Sequence, residues 1–424
     1  GSEDENALEI CGQLDEPTLI FCKSVRSAYA LASFLIEKGV SAPSPQAKEV
    51  ADWLRKNYHP EWILAHLLDQ GFAVHHGSLP RSIAYHILRK FNDGAIRFLL
   101  CTSTIIEGVN TSAKNIVIYD NKIATRKFDQ FTFNNIKGRA GRMFKHFVGH
   151  VYVLHPEPEL ELPIVDIPSI TQSDGAPDSL LIHLDHGDLS DRSREQLRYL
   201  HAQEYLPIDV IRESSGVEPS YQVNLAAEIA SKLDHYYPLL MWRGFPNSEQ
   251  LFECCRLIFE FLLGNNGRDG IVSVKQLYFQ ISRFAALKSI PALIDQEIEN
   301  PHHKTPSDAI ESTLKFLRQW CEFHFPRLLG SLERIQRSVF ESNGRSPGDY
   351  APFIASVKHL FMHPAVTILE EYGLPYSVTQ KVLATSELGG DVDEILGNLS
   401  RLDPASVALP PFEEEMLRET LDNL

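Results

Sequence analysis

Four short apolar runs separated by longer amphipathic stretches restrict this chain to few folds. The runs are 18–22 (TLIFC), 72–75 (FAVH), 98–101 (FLLC) and 115–120 (NIVIYD), each close to continuously hydrophobic. That is the pattern of strands buried on both faces. Between them the apolar positions shift to helical spacing: Ala28, Leu31, Ala32 and Leu35 share one face, and Gly71 and the Asn92-Asp93-Gly94 turn each close a helix. Strand and helix in alternation predict a parallel sheet flanked by helices, with ligands met by the loops beyond the carboxyl ends of the strands. From about residue 235 long amphipathic stretches such as LFECCRLIFEFLLG take over, as in a helical bundle. The expected class is therefore α/β plus α, and Trp242 and Trp320 read as core anchors of the bundle rather than as platforms for bases.

A chain of 424 residues with 43% hydrophobic residues can bury several cores. Its apolar runs are too short to cross a bilayer, and the opening GSEDENALEI lacks a signal-peptide core. Gly1-Ser2 reads as a remnant of cloning, so the natural chain is expected to begin upstream. The six cysteines show no CxxC spacing, which argues against zinc ribbons, iron–sulfur clusters and a disulfide framework. A reducing cytoplasm is the expected location, with no membrane partner. The net charge of −16 is uneven: residues 1–160 hold 18 Lys/Arg and 17 Asp/Glu, leaving 22 and 39 for the rest. A bulk electrostatic sink for nucleic acid is excluded, whereas a narrow basic track through Lys122, Arg126, Lys127, Lys137, Arg139, Arg142 and Lys145 is not.

The polar loops after the strands form an ordered set. They are Phe21-Cys22-Lys23-Ser24, His75-His76-Gly77-Ser78, the run TSTIIEGVN at 102–110, and the run GRAGR at 138–142. In order and content these resemble motifs IV, IVa, V and VI of the second motor domain of superfamily-2 helicases, the superkiller-type branch in particular. The runs STIIEGVNTSAKNIVIYD and NIKGRAGRMFKHFVGHVYVL are most similar to the bacterial Hachiman-type antiphage helicases. The resemblance covers roughly 15–155 and implies a RecA-like domain. Such a motor hydrolyses ATP with Mg²⁺ between two domains, one cradling the phosphates and the other bringing arginines to the γ-phosphate. Arg139 and Arg142 stand one helical turn apart, so both guanidinium groups can face one cleft. By resemblance Arg142 is the finger and Arg139 its companion, while Gly108, Asn110, Gly138 and Gly141 approach the nucleotide. Nucleic-acid phosphates fall to Thr102 and Thr104, with Ser24 and His76 beside them. Turn chemistry and helix capping explain strand-end Ser and Thr residues equally well, and a lone His is commonly structural. Between motifs V and VI, Asp120-Asn121 could turn a short hairpin armed by Lys122, Arg126 and Lys127, as a strand-separating wedge or a solvated basic loop.

Two departures matter. Asn135 and Ile136 stand where the family usually has Gln and Arg, and Ile136 cannot make a polar contact to nucleotide. The phosphate loop GxxxxGK[ST] and the acidic DExx box are absent from this sequence. The chain alone is therefore expected to be inactive as an ATPase and to act with an N-terminal motor domain, on DNA more than RNA. The alternative is a non-catalytic scaffold whose acidic helical region recruits a nuclease or other effector. The expected organisation is a tag or disordered lead (1–14), the RecA-like domain (15–155), a Pro-rich acidic linker (156–176), a winged-helix-like connector (177–240), a ratchet-like bundle (241–345) and a helical module (346–424). In that module Gly373-Leu374-Pro375 and Lys381 resemble a phosphate-binding helix–hairpin–helix, with a plain helical turn or a protein-docking surface as the other reading.

Overall fold

A computed structural model of the chain describes residues 2–103, 111, 113–123, 126–139, 148–158, 167–173, 175–385 and 390–424. It divides into two compact units that are not consecutive in sequence. The first comprises Gly1–Leu162, Ile290–Leu314 and His363–Leu424, and the second Pro163–Ser289 and Lys315–Met362.

The first unit is built on a parallel sheet of β1 (Thr18–Phe21), β2 (Phe72–His75), β3 (Phe98–Cys101), β4 (Asn115–Ile118) and β7 (His150–Val153) in the order β2-β3-β1-β4-β7. A separate two-stranded ladder is formed by β5 (Lys122–Ile123) and β6 (Arg126–Lys127). Thr18 of β1 is in register with Phe98 on one side and Asn115 on the other. Strands β1 to β4 are buried along their whole length, β2 included although it lies at one edge, which is why they read as unbroken apolar runs. Strand β7 is half-exposed at the sheet edge, so its sequence shows no such run. Gly71 has φ +77°, and a Cβ there would lie 2.0 Å from the Ala42 carbonyl oxygen; only glycine fits the turn that feeds β2.

Residues 1–14, expected to be a disordered lead or tag, contain the helix Glu3–Cys11. Ser2 and Glu5 form a capping box, Glu3, Asp4 and Glu5 face the positive end of the helix dipole, and Ala7 and Cys11 are buried. Tyr119, just beyond β4, donates to Asp4.

The C-terminal segment packs on the helix Arg81–Asn92 and on Trp53. Ser82 N donates to Glu370 Oε1 at 3.1 Å, His86 Nε2 lies 2.9 Å from the Gly373 carbonyl oxygen, and Lys90 Nζ is 3.1 Å from Glu415 and sits over the Phe412 ring. Trp53 Nε1 donates to Glu413 Oε1 at 3.2 Å, and Arg81 pairs with Glu371. This placement corrects the phosphate-binding reading of the 373–375 turn. Gly373 (φ +100°) lies against Tyr85, where a Cβ would approach to 2.9 Å, and Lys381 is neutralised by the buried Glu413 at 2.6 Å. The turn faces protein.

Two titrations oppose one another in this interface. Burial, with Glu415 alongside, raises Glu419 to about 7 against the pull of Arg89 and Lys90, while burial lowers His86 to about 4. A carboxyl group with a raised folded pKa adds stability as pH falls from 7 toward 4.5; a histidine with a lowered one removes it as pH falls from 6.5 toward 4. The two slopes offset each other over the shared window. Glu419→Gln is expected to unmask the histidine: its thermal midpoint should drop more steeply than that of the wild type between pH 6.5 and 4. Equal slopes for the two proteins would contradict this assignment.

The second unit is helical, with Pro219–Ser231, Ser248–Leu257, Val274–Leu287 and Phe325–Ser342 among its longer helices. Trp320 is fully buried and donates to the Arg268 carbonyl oxygen at 3.2 Å, and Trp242 stacks on Tyr350 with ring centroids 3.9 Å apart. Both tryptophans are core residues. Among the described residues of 177–240 there are helices and loops and no strand, so the wing of a winged helix is not among them.

Candidate nucleotide and nucleic-acid interface

The connection from β1 runs toward β2 and that from β4 toward β7. The carboxyl ends of β1 and β4 thus flank the topological switch point, where an open α/β sheet leaves a crevice. Asp120, 4% exposed, occupies it. Its carboxylate accepts from Lys23 N at 3.0 Å and from Ser27 Oγ at 2.8 Å, and lies 3.0 Å from Lys23 Nζ. The Lys23 pKa is raised by this hydrogen bond and charge. Asp120 is therefore a buried anchor for the motif IV loop and not the hairpin turn expected from sequence. Its signal was there to find: an acid that ends an otherwise apolar strand must have a partner.

Ser24 caps the helix Val25–Glu37, its Oγ accepting from Ser27 N at 3.2 Å. His76 is 2% exposed, with Nε2 3.2 Å from Glu311 Oε2, so its ring meets a carboxylate inside the unit rather than a ligand. Thr102 is buried just beyond β3, its N–H donating to the His75 carbonyl oxygen at 3.3 Å, which ties Thr102 to the end of β2. Thr104, Gly108 and Asn110 lie outside the described residues.

Residues 122–123 and 126–127 do pair as an antiparallel ladder. Lys122 stands directly opposite Lys127, and Ile123 opposite Arg126. Like charges paired across two strands repel, so this ladder places three exposed cations where an anion would relieve the strain. Asp129 then caps the helix Gln130–Lys137, accepting from Thr132 N at 2.8 Å, a bond that lowers its pKa. Phe133 and Ile136 are core residues of this helix, and Phe128 links Phe133 to Phe21 of β1 with centroids 6.1 and 5.7 Å apart. Ile136 thus serves packing where the family usually has an arginine. On the other side Phe131 is 68% exposed. Gly138 ends the helix, exposed, and half-exposed Arg139 follows with its N–H bonded to the Ile136 carbonyl oxygen at 3.1 Å. Gly141 and Arg142 lie outside the described residues. Among those that are described no cluster of His, Cys, Asp and Glu could hold a metal ion, all six cysteines are free and buried, and no helix is long and apolar enough to cross a membrane.

The helicase conserved C-terminal domain matches residues 5–144, the stretch that supplies four of the five sheet strands, the β5–β6 ladder and the helix before Arg139. The chain thus carries a helicase C-terminal domain. It is 31% identical over 93% of its length to Anti-bacteriophage protein B of Escherichia coli, covering 56% of that protein. It is also similar, over 30% of its length at 29% identity, to the ATP-dependent DNA helicase MER3 of Saccharomyces cerevisiae, of which 10% is covered. The ATP-dependent DNA helicase Hel308 of Pyrococcus horikoshii matches 26% of the chain at 30% identity, with 16% of that protein covered. The chain thus spans about half the length of the first of these relatives and a small part of the others. The helicase C-terminal domain begins within the helix Glu3–Cys11, in agreement with the packing of that helix in the unit.

Proposed function

We propose that this chain is the second motor domain and accessory helical part of an ATP-dependent nucleic-acid helicase or translocase. The observation that carries the reading is the cationic β5–β6 ladder beside the switch-point edge of a helicase C-terminal domain. In this reading Arg142 and Arg139 meet the γ-phosphate of ATP when an N-terminal motor domain closes on them, and Gly108, Asn110, Gly138 and Gly141 line the approach. Mg²⁺ and the phosphate loop come with that other domain, so the chain alone does not hydrolyse ATP. Lys122, Arg126 and Lys127 track the phosphates of a strand, with Ser24, Thr102 and Thr104 along the same edge. The second unit supplies the connector and bundle that guide the strand. The likeness to an anti-bacteriophage protein and to two DNA helicases supports a role in antiphage defence on DNA.

Binding of a single-stranded oligonucleotide at several salt concentrations tests this. Replacing Lys122, Arg126 and Lys127 together by alanine should weaken binding and flatten the log–log salt slope by about 2, since each phosphate contact on a single strand contributes roughly 0.7. A triple variant with the same affinity and slope as the wild type would remove the hairpin from the interface. A wild-type chain that binds no oligonucleotide, in a full-length protein without nucleic-acid-stimulated ATP hydrolysis, would favour the scaffold reading.

A further inference from the structure

Glu311 lies on the helix Pro306–Phe316, more than two hundred residues beyond the loops it touches, in the part of that helix that belongs to the first unit. Its side chain is 18% exposed. Oε1 accepts from Tyr29 Oη at 2.7 Å and from Trp62 Nε1 at 3.0 Å, and Oε2 lies 3.2 Å from His76 Nε2. The other ring nitrogen of His76, Nδ1, accepts from Ser78 N at 3.3 Å, which assigns the imidazole proton to Nε2, facing the carboxylate. Burial opposes the charge on Glu311, yet the adjoining His76 ring and the bonds from Tyr29 and Trp62 hold its pKa below the ordinary carboxylate value. The carboxylate is therefore ionised and gripped from three directions. A second fastening lies one turn earlier: Ile63 N donates to Ser307 Oγ at 2.8 Å, and Ser307 Oγ donates to the Glu61 carbonyl oxygen at 3.1 Å. Ser307 and the buried Ala309, Ile310 and Leu314 also hold this helix in the unit, so Glu311 is not its sole anchor.

What Glu311 adds is contact with the loops at the strand ends. Tyr29 is on the helix capped by Ser24, and His76 begins the turn closed by the Leu79 N–H on the His76 carbonyl oxygen at 3.2 Å. His75, the preceding residue, accepts the Thr102 N–H. We propose that Glu311 is a positioning residue for the nucleic-acid-binding edge, holding the His76-Gly77-Ser78 turn, and through His75 the backbone of Thr102, in the geometry that meets phosphate. The inference rests on the proposed function for what the edge binds, and on the geometry alone for how the edge is held.

Two readouts separate those parts, both on the full chain. Hydrogen exchange should show faster exchange at the amides of 77–79 and 102 in Glu311→Ala, little change there in Ser307→Ala, and an intermediate rate in Glu311→Gln, which keeps the Oε1 acceptor. Single-stranded oligonucleotide affinity should fall about tenfold in Glu311→Ala and in His76→Ala, and the double variant should be no weaker than either single one, because both changes break the same contact. Ser307→Ala should lower the thermal midpoint without lowering affinity. Unchanged exchange at 77–79 and 102 in Glu311→Ala overturns the proposal, as does an affinity loss that tracks the midpoint equally in Glu311→Ala and Ser307→Ala. If the wild type binds no oligonucleotide but the exchange pattern appears as described, the proposed function fails and the positioning role of Glu311 stands.

Discussion

Replacing Arg142 by alanine in the protein extended to include its phosphate-binding domain is expected to lower nucleic-acid-stimulated ATP hydrolysis by roughly three orders of magnitude or more. The expectation rests on what an arginine does at a transferring phosphoryl group. Charge accumulates on the equatorial oxygens as the bond to the leaving group lengthens, and a guanidinium fixed in a water-excluded cleft stabilises that charge far more than it stabilises bound ATP. The loss should therefore appear in kcat, with the KM for ATP changed little. Arg142→Lys should not restore the rate, because an ammonium group cannot present two parallel donors to phosphate. Arg139→Ala should show a smaller loss. Oligonucleotide affinity in the absence of ATP is the control and should stay near that of the wild type. Steady-state ATPase assays decide the matter; a rate for Arg142→Ala within a few-fold of the wild type would remove that residue from the reaction.

Deletion of residues 363–424 should abolish cooperative folding of the first unit. The segment buries Leu369, Leu374, Val378, Val382, Phe412, Met416 and Leu417. Each large apolar side chain contributes about 1.5–3 kcal/mol on burial, so seven of them contribute about 10–20 kcal/mol, as much as the roughly 5–15 kcal/mol by which a domain is stable. Truncation also strips Glu413 from Trp53, Glu370 from the Ser82 N–H and the Gly373 carbonyl oxygen from His86. Calorimetry should show the transition of the first unit broadened or lost. An unchanged midpoint in the truncated chain would mean that the segment is only an appendage.

Strands β1 to β4 were legible in sequence because full burial leaves an unbroken apolar run, and each of the four apolar runs read as a strand became one. Strand β7 escaped because its residues are exposed or half-exposed and need no such run. The packing roles of Trp242 and Trp320 were legible from helical stripes of the same kind. His76 is more instructive. Its type and place invite a phosphate contact, yet its ring is closed off by Glu311, a partner 235 positions away. Asp120 likewise looked like turn chemistry beside an asparagine, and only the approach of the β1 and β4 carboxyl ends shows it as the anchor of Lys23.

The residues themselves determined the parallel sheet, the order of the loops at its edge and the match to a helicase C-terminal domain. These depend on periodicity and local motif, which are written within a dozen residues. Tertiary structure alone decided that 290–314 and 363–424 return to the sheet and the helix Arg81–Asn92, that the 373–375 turn faces protein, and that one glutamate grips three elements. Such contacts join side chains hundreds of residues apart through complementary shape and charge, and neither property is expressed in the local pattern of either partner.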